Sequence, residues 1–474
     1  MNPPVLLVTD PGNGANPFGA YLGEILKTEG FIAHEKADLA RVHLPYLRRF
    51  CLVILAEARL SRAHQEALRE FVAGGGRLLA MRPDPELAGL FGLAYRGTRP
   101  QGLRCYLTVD PDADAGRGVE PGPLQYHGPA DEYEVRDASV VAWLQNDVTR
   151  SPYPAVTWNR YGGGLAVAFT YDLARSVVLT RQGNPEWICG PEECEDGDGL
   201  EGIRPADAFL RQSGEKWVDP ARIPVPQADE QQRLLSNCLM ALSEGAMPLP
   251  RLWYFPAGKR AVLVMTGDGD DAGFGAFDQV IAAVEEYGGH FSAYLQGLDG
   301  DPTPAQVDDW IGRGHEVGLH VVDEEGRLRP TFTTLASAYA DAAARFVSLY
   351  RRSPGPSYRN HRLTWYGWVD GAEMALRHGL HVDFNYYHGR QWTLPDGRWA
   401  NGYFTGSGLP QRFVREDGTV LDVYQVLTQW SDETQLYRQQ LGTEGATQLA
   451  REMFDLAERR YPTVFVANFH PGGW

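Results

Sequence analysis

A chain of 474 residues with 43% hydrophobic and 22% charged residues has room for two or three domains with buried cores. Its formal charge of −17 argues against nucleic acid or an anionic membrane as the main partner. No apolar run approaches a membrane span; the longest are CLVILA (51–56) and AVLVM (261–265).

The N-terminal MNPPVLLVTD has no basic leader or cleavable apolar segment and enters a strand at VLLVTD (5–10). DPGNGANP is a turn cluster, and FGAYLGEILKTEG has helical spacing stopped by Gly30. CLVILAE (51–57) reads as a second strand, SRAHQEALREFVAGGG (61–76) as a Ser-capped helix, and RLLAM (77–81) as a third strand. The alternation predicts a doubly wound, flavodoxin-like parallel sheet with β insertions over 1–225. GNG (12–14) has Pro17 where a dinucleotide loop needs its third glycine, and reads as a tight turn. Order and spacing resemble the class I glutamine amidotransferase-like superfamily, including the related domain of some β-galactosidases. That resemblance implies a cysteine on an elbow after RLLAM. The chain reads LLAMRPDPELAGLFGL there, so no amidotransferase activity is expected.

PAVTWNRYGGGLAVAFTYDL (154–173) reads as a hairpin around a glycine turn. In the following YDLARSVVLTRQGNPEW, the polar Asp172, Arg175, Ser176, Arg181 and Gln182 fit loop and interface roles. Cys189 and Cys194 lack CxxC spacing, and ECEDGDG (193–199) lacks the spacing of a calcium loop. With Cys51, Cys105 and Cys238 they read as reduced structural thiols of a cytoplasmic protein. A helix near 226–243 and a Pro/Gly-punctuated connector to 255 lead to a third segment, 256–474.

There AVLVMT runs into GDGDD, followed by the helix FDQVIAAVEEYGG (277–289) and the strand HFSAYLQG. PAQVDDWIGRG (304–314) is helical and HEVGLHVVDEEG follows. A helix over 333–352, a strand end in SYRNHRLTW, the helix GAEMALRHG (371–379) and the strand LHVDFNYYH come next. REMFDLAERR (451–460) is the last helix before TVFVANFHPGGW. The repetition predicts a (β/α) barrel, complete or short of one unit, whose reactive groups gather at the carboxyl ends of strands. Those ends carry Asp268, Asp270, His320, Arg359, Asp383 and His470. HEVGLH is not a zincin motif: its histidines are five apart, so His320 is the ligand candidate and His315 a structural residue.

This set resembles the polysaccharide deacetylase (NodB homology) superfamily of metal-dependent carbohydrate esterases, over about 260–474. GHEVGLHVVDE (314–324) is similar to its GHEIGNH-type segment, and TGDGD (266–270) to its TFDDG segment. The resemblance implies Asp268 as catalytic base and His320 as a metal ligand. YRNHR implies Arg359 as the residue that orients the base. HVDFN implies Asp383 as support for a catalytic histidine, and FVANFH implies His470 as general acid. Gly269 stands where the second aspartate belongs, so the metal carboxylate is expected from Asp270 or Asp271, and Asp270 is the candidate. Glu324 stands where the second ligand histidine belongs, beside Asp323, with His361 as the alternative third ligand. Such a site would take zinc, or manganese or iron(II). Tyr358, Trp365, Tyr386, Tyr387, Trp392 and Trp430 either stack on sugar faces or pack beneath the loops.

The expected activity is removal of an acyl group from an N-acetylated carbohydrate, with the N-terminal domain as a route to homo-oligomers. The alternatives are a carbohydrate-binding pseudoenzyme with a degenerate metal site and a non-catalytic oligomeric scaffold.

Overall fold

Short aliphatic runs broken by glycine and proline build the first sheet. In the computed structural model, which describes residues 5–147, 149–188, 204–211, 213–270, 273–298, 300–326, 329–389 and 392–472, the chain divides into two units. The first holds residues 1–181, 227–256 and 416–419. His34–Asp38, Val5–Thr9, Leu52–Leu55, Arg77–Met81 and Gly164–Phe169 lie side by side in that order, all parallel. Thr149–Tyr161, Ser139–Asn146, Cys105–Val109 and Leu124–Gln125 extend the sheet antiparallel. The α/β fold expected for this part is therefore present, with its β insertion forming one flank of the sheet.

Leu6, Val8, Val53, Leu55, Leu78 and Ala80 are buried against Leu68, Phe71 and Val72 of the helix Arg62–Ala73. That helix starts where Ser61 Oγ accepts from the His64 N–H at 3.3 Å. The hairpin of NRYGGG needs glycine at 162: its φ is +57°, and a Cβ would lie 2.7 Å from Ala73 Cα. Asp172 accepts from the Arg175 N–H at 2.6 Å and opens a helix, Leu173–Gln182, where the sequence suggested a loop. After Met81 the elbow residue is Arg82, at φ +40°, bonded to Glu57 at 2.9 Å and Asp131 at 3.0 Å. Cys51 is exposed, Cys105 and Cys238 are buried, and all three are free thiols. Cys189, Cys194 and the ECEDGDG loop lie outside the described residues.

The two units do not follow the three segments 1–225, 226–255 and 256–474. Helix Gln227–Ser243 belongs to the first unit because its polar side chains are consumed there. Gln227 Oε1 accepts from the Gln125 N–H at 2.7 Å, Gln231 donates to the Gln125 carbonyl at 2.9 Å, and Ser236 donates to Glu29 at 2.7 Å. A helix whose polar groups are satisfied inside a core is no linker. Residues 182–226 belong to the second unit.

Burial also pushes the His127 imidazole down to about 3. The unfolded chain takes up a proton near the ordinary value of about 6.5, the folded one only near the depressed value, so stability falls as pH drops through that window. We expect acid to cost the first unit a few kcal/mol between those limits. His127→Gln should flatten that slope in urea titrations run at stepped pH; an unchanged slope would assign the loss elsewhere.

In the second unit Ala261–Asp268, Phe291–Leu295, Glu316–Val321, Ser357–Asn360 and Val382–Asp383 are successive parallel neighbours. Val420–Gln425 follows beside Val382–Asp383. On the other side, Thr463–Phe469 pairs with Ala261–Asp268 and then with Thr428–Ser431. Two bonds curl the sheet onto itself: the Thr428 N–H donates to the Tyr386 carbonyl at 2.8 Å, and the His388 N–H to the Thr428 carbonyl at 2.9 Å. Gln411–Val414 lies antiparallel at the edge. The helices Phe274–Glu285, Pro304–Gly312, Phe332–Tyr350, Asp370–Leu376 and Gly442–Arg459 fall between these strands. Thr331 and Thr334 start one of them by accepting from each other's N–H, at 3.1 and 3.0 Å. Parallel pairing places Asp268, Val321, Asn360, Asp383, Ser431 and Phe469 on one rim. No described helix is long and apolar enough to cross a membrane.

Candidate active site at the barrel rim

Arg359 is the fixed point of the rim. Its side chain is fully buried, so its donors must all be used. Nη1 reaches Asp268 Oδ1 at 2.9 Å, Thr266 Oγ1 at 3.1 Å and Asn468 Oδ1; Nη2 reaches Thr428 Oγ1 at 3.0 Å; Nε reaches the Phe384 carbonyl at 3.3 Å. Asn468 Nδ2 donates to the second oxygen of Asp268 at 2.9 Å. Burial would raise the Asp268 carboxyl, but the charges of Arg359, His320 and His470 hold it below the ordinary range. The carboxylate stays ionised in a buried setting.

Asp270 and His320 meet above it. His320 Nδ1 lies 2.9 Å from the Arg359 carbonyl, which places a proton on Nδ1, and Nε2 lies 2.9 Å from Asp270 Oδ1. His361 Nε2 is 3.6 Å from the same oxygen. Burial opposes ionisation of Asp270, but the hydrogen bond from His320 and the charges of His320, His361 and His470 drive it well below the carboxylate range. Burial lowers His320, and Asp268 and Asp270 more than reverse that. Position 269 could not carry the aspartate that the resemblance implied: a Cβ would sit 2.8 Å from the Tyr294 carbonyl, which the Gly269 N–H already contacts at 2.9 Å. Asp271 lies outside the described residues.

His470 completes the group, with Nε2 3.8 Å from Asp268 and 3.9 Å from Asp270. Its Nδ1 bonds Asp432 Oδ1 at 2.7 Å, and its N–H donates to Asp432 Oδ2 at 2.6 Å. Burial lowers its pKa, and the Asp432 bond with the charges of Asp268, Asp432 and Asp270 lifts it to about 9.

The carboxylate against His470 is thus Asp432, where the resemblance implied Asp383. Asp383 instead accepts from Asn385, at 3.1 Å from its N–H and 2.8 Å from its amide, and burial pushes it up to about 6. Asp268, Asp270, His320, Arg359 and His470 come together; Asp383 stands behind Tyr358, and Glu324 is exposed on a turn. Asp323 beside it is buried and caps that turn, accepting from Gly326 N–H at 2.7 Å and Thr334 Oγ1 at 2.9 Å. His315 is structural, accepting from the Phe291 N–H at 3.0 Å and meeting Glu285 at 2.9 Å. Tyr358, Trp365, Tyr386 and Trp392 are fully buried and pack in the core; Trp430 is half-buried against Phe469.

Asp432, Asn468, Thr266 and Thr428 are the rim groups that the motifs did not mark. Period-two spacing was the available signal: Thr266 precedes Asp268, and Asn468 precedes His470, by two residues along strands.

Among the described residues no three His, Cys, Asp or Glu side chains stand as a formed metal shell. The donors nevertheless suit a divalent cation: one carboxylate and two imidazole nitrogens face one another, and His320 has the outer carbonyl partner that orients a ligand histidine. Its Nε2 either shares a proton with Asp270 or, without that proton, offers a lone pair.

No family model and no curated protein matches the chain. A β-galactosidase from Rahnella sp. R3 is similar over 35% of this chain and 28% of its own, at 18% identity and a TM-score of 0.31. A cytoplasmic protein from Salmonella typhimurium LT2 is similar over 35% of this chain and 87% of its own, at 11% identity and a TM-score of 0.27. A ThuA-like protein from Bacteroides uniformis is similar over 35% and 81%, at 10% identity and a TM-score of 0.29. The chain spans under a third of the β-galactosidase, and scores this low carry no argument about activity.

Proposed function

We propose that the second unit is a metal-dependent hydrolase that removes an acyl group from the nitrogen of an N-acylated sugar. The observation that carries this reading is the convergence of Asp270, His320 and His361 beside a buried, arginine-held Asp268. The resemblance of TGDGD, GHEVGLH, YRNHR and FVANFH, in that order, to polysaccharide deacetylase segments supports an acylated sugar as substrate.

Asp270, His320 and His361 would hold the cation, with zinc first and manganese or iron(II) as the other candidates. When bound, it acidifies a water and polarises the acyl carbonyl. Asp268, kept ionised by Arg359, accepts the proton of the attacking water. His470 enters the reaction protonated and oriented by Asp432, and gives its proton to the leaving amine. Asn468 and Thr266 hold the base and its arginine in register.

Purified protein is expected to carry about one transition metal per chain. Asp270→Ala and His320→Ala should each lose it, as read by elemental analysis. Protein that takes up no metal from zinc, manganese or cobalt solutions would overturn the proposal. A binding-only reading is favoured by the exposure of Glu324, which leaves the third ligand position to His361, 3.6 Å from Asp270 Oδ1; acetate release from N-acetylated oligosaccharides excludes it.

A further inference from the structure

We infer that the barrel rim carries a second sugar subsite, outside the reacting centre, which binds a neutral pyranose ring of the same oligosaccharide. The inference rests on the carbohydrate reading above. The chain leaves Asp432 directly into a π-helix, Glu433–Arg438, a distortion that recurs at functional sites. Leu436, Tyr437 and Arg438 of that helix, with Gln440 after it and Trp399 opposite, line a cavity of about 670 Å³. That volume falls within the range of about 300–1,000 Å³ typical of small-molecule sites.

Both walls are held in place. Trp399 sits on a hairpin arm, bridged to Thr393 and closed by the Leu394 N–H donating to the Arg398 carbonyl at 2.8 Å. Gln439 donates to Asn401 at 2.9 Å and ties the helix exit to that arm. Gln440 takes a left-handed φ of +54°, a conformation held against its own preference.

The lining identifies the ligand class. Tyr437 is 66% exposed, and with Trp399 it offers rings to an apolar face. Arg438 and Gln440 supply polar edges. Arg438 is not a free charge: its Nε and Nη2 both bond Glu433 Oε1, the first at 3.0 Å. With that charge compensated, the cavity suits a neutral polyhydroxyl ring better than an anion. A ring seated there also lies against the helix that begins at Asp432, the partner of His470.

The test uses the full chain with Asp268→Asn to prevent turnover, and two probes: N-acetylglucosamine and its β-1,4-linked tetramer. Calorimetry should show the tetramer binding at least about tenfold more tightly than the monomer. Tyr437→Ala and Trp399→Ala should remove that advantage, with monomer binding and circular dichroism unchanged. Since Tyr437 is exposed, its variant keeps the test open if Trp399→Ala disturbs the hairpin. In the active enzyme, Tyr437→Ala should raise KM for the tetramer with little change in kcat. Tetramer binding no tighter than monomer binding, or undiminished in both variants, would overturn the inference. Acetate released from both probes with equal kcat/KM removes the subsite and leaves the hydrolase. Tetramer-selective binding without acetate release removes the hydrolase and leaves the subsite.

Discussion

Arg359→Ala should be the most damaging single change in the second unit, costing about 3–5 kcal/mol of stability. The side chain is fully buried, and Asp268 is only 6% exposed at its side chain, so removing the guanidinium leaves a carboxylate without its main counter-charge. Asn468, Thr266 and Thr428 would lose a shared partner at the same time. Urea midpoints measure the loss. Pairing Arg359→Met with Asp268→Asn should recover much of it, because a matched neutral pair no longer strands a charge. If the double variant is as unstable as the sum of the singles, packing rather than charge dominates at this point.

Asp268→Asn should lower the acyl-transfer rate by roughly 10²–10⁴-fold, the usual contribution of a positioned base. The replacement is isosteric but not isoelectronic. Asp268 accepts from Arg359 on one oxygen and from Asn468 on the other, so an amide NH₂ must face a donor. A stability loss of about 1–3 kcal/mol is therefore expected beside the rate loss. Metal content, measured on the same preparation, should stay at the wild-type level, since Asp270, His320 and His361 are untouched. Normal turnover in Asp268→Asn would remove this residue from the reaction.

The strands were legible because they are short aliphatic runs that stop at polar residues: AVLVMTGD, HFSAYL, EVGLH and TVFVANF each end where the rim begins. That pattern alone brought Asp268, Asp270, His320, Arg359 and His470 into view. Asp432 was not legible, since TQWSDETQ has no family motif and the π-helix that follows has no periodicity of its own. Nothing in HVDFN distinguishes a carboxylate turned toward His470 from one turned toward Tyr358 and Asn385; orientation on a two-residue strand is a tertiary outcome. Helix Gln227–Ser243 misled for a physical reason. QADEQQ looks solvated, yet Gln227 and Gln231 find backbone partners in the core and Glu230 accepts from the Glu120 N–H at 2.6 Å.

The pairing of Ala261–Asp268 with Thr463–Phe469 has a consequence for how the chain is made. Thr266 and Asn468, bonded across that seam, are 202 positions apart. During synthesis at about 5–20 residues per second, the earlier strand waits roughly 10–40 s for its neighbour. Throughout that interval one flank of the nascent ring presents unpaired N–H and C=O groups, and the arginine that anchors the rim lacks its last-made partner. The seam can therefore close only after Thr463–Phe469 has been made, and until then that flank of Ala261–Asp268 is an open edge.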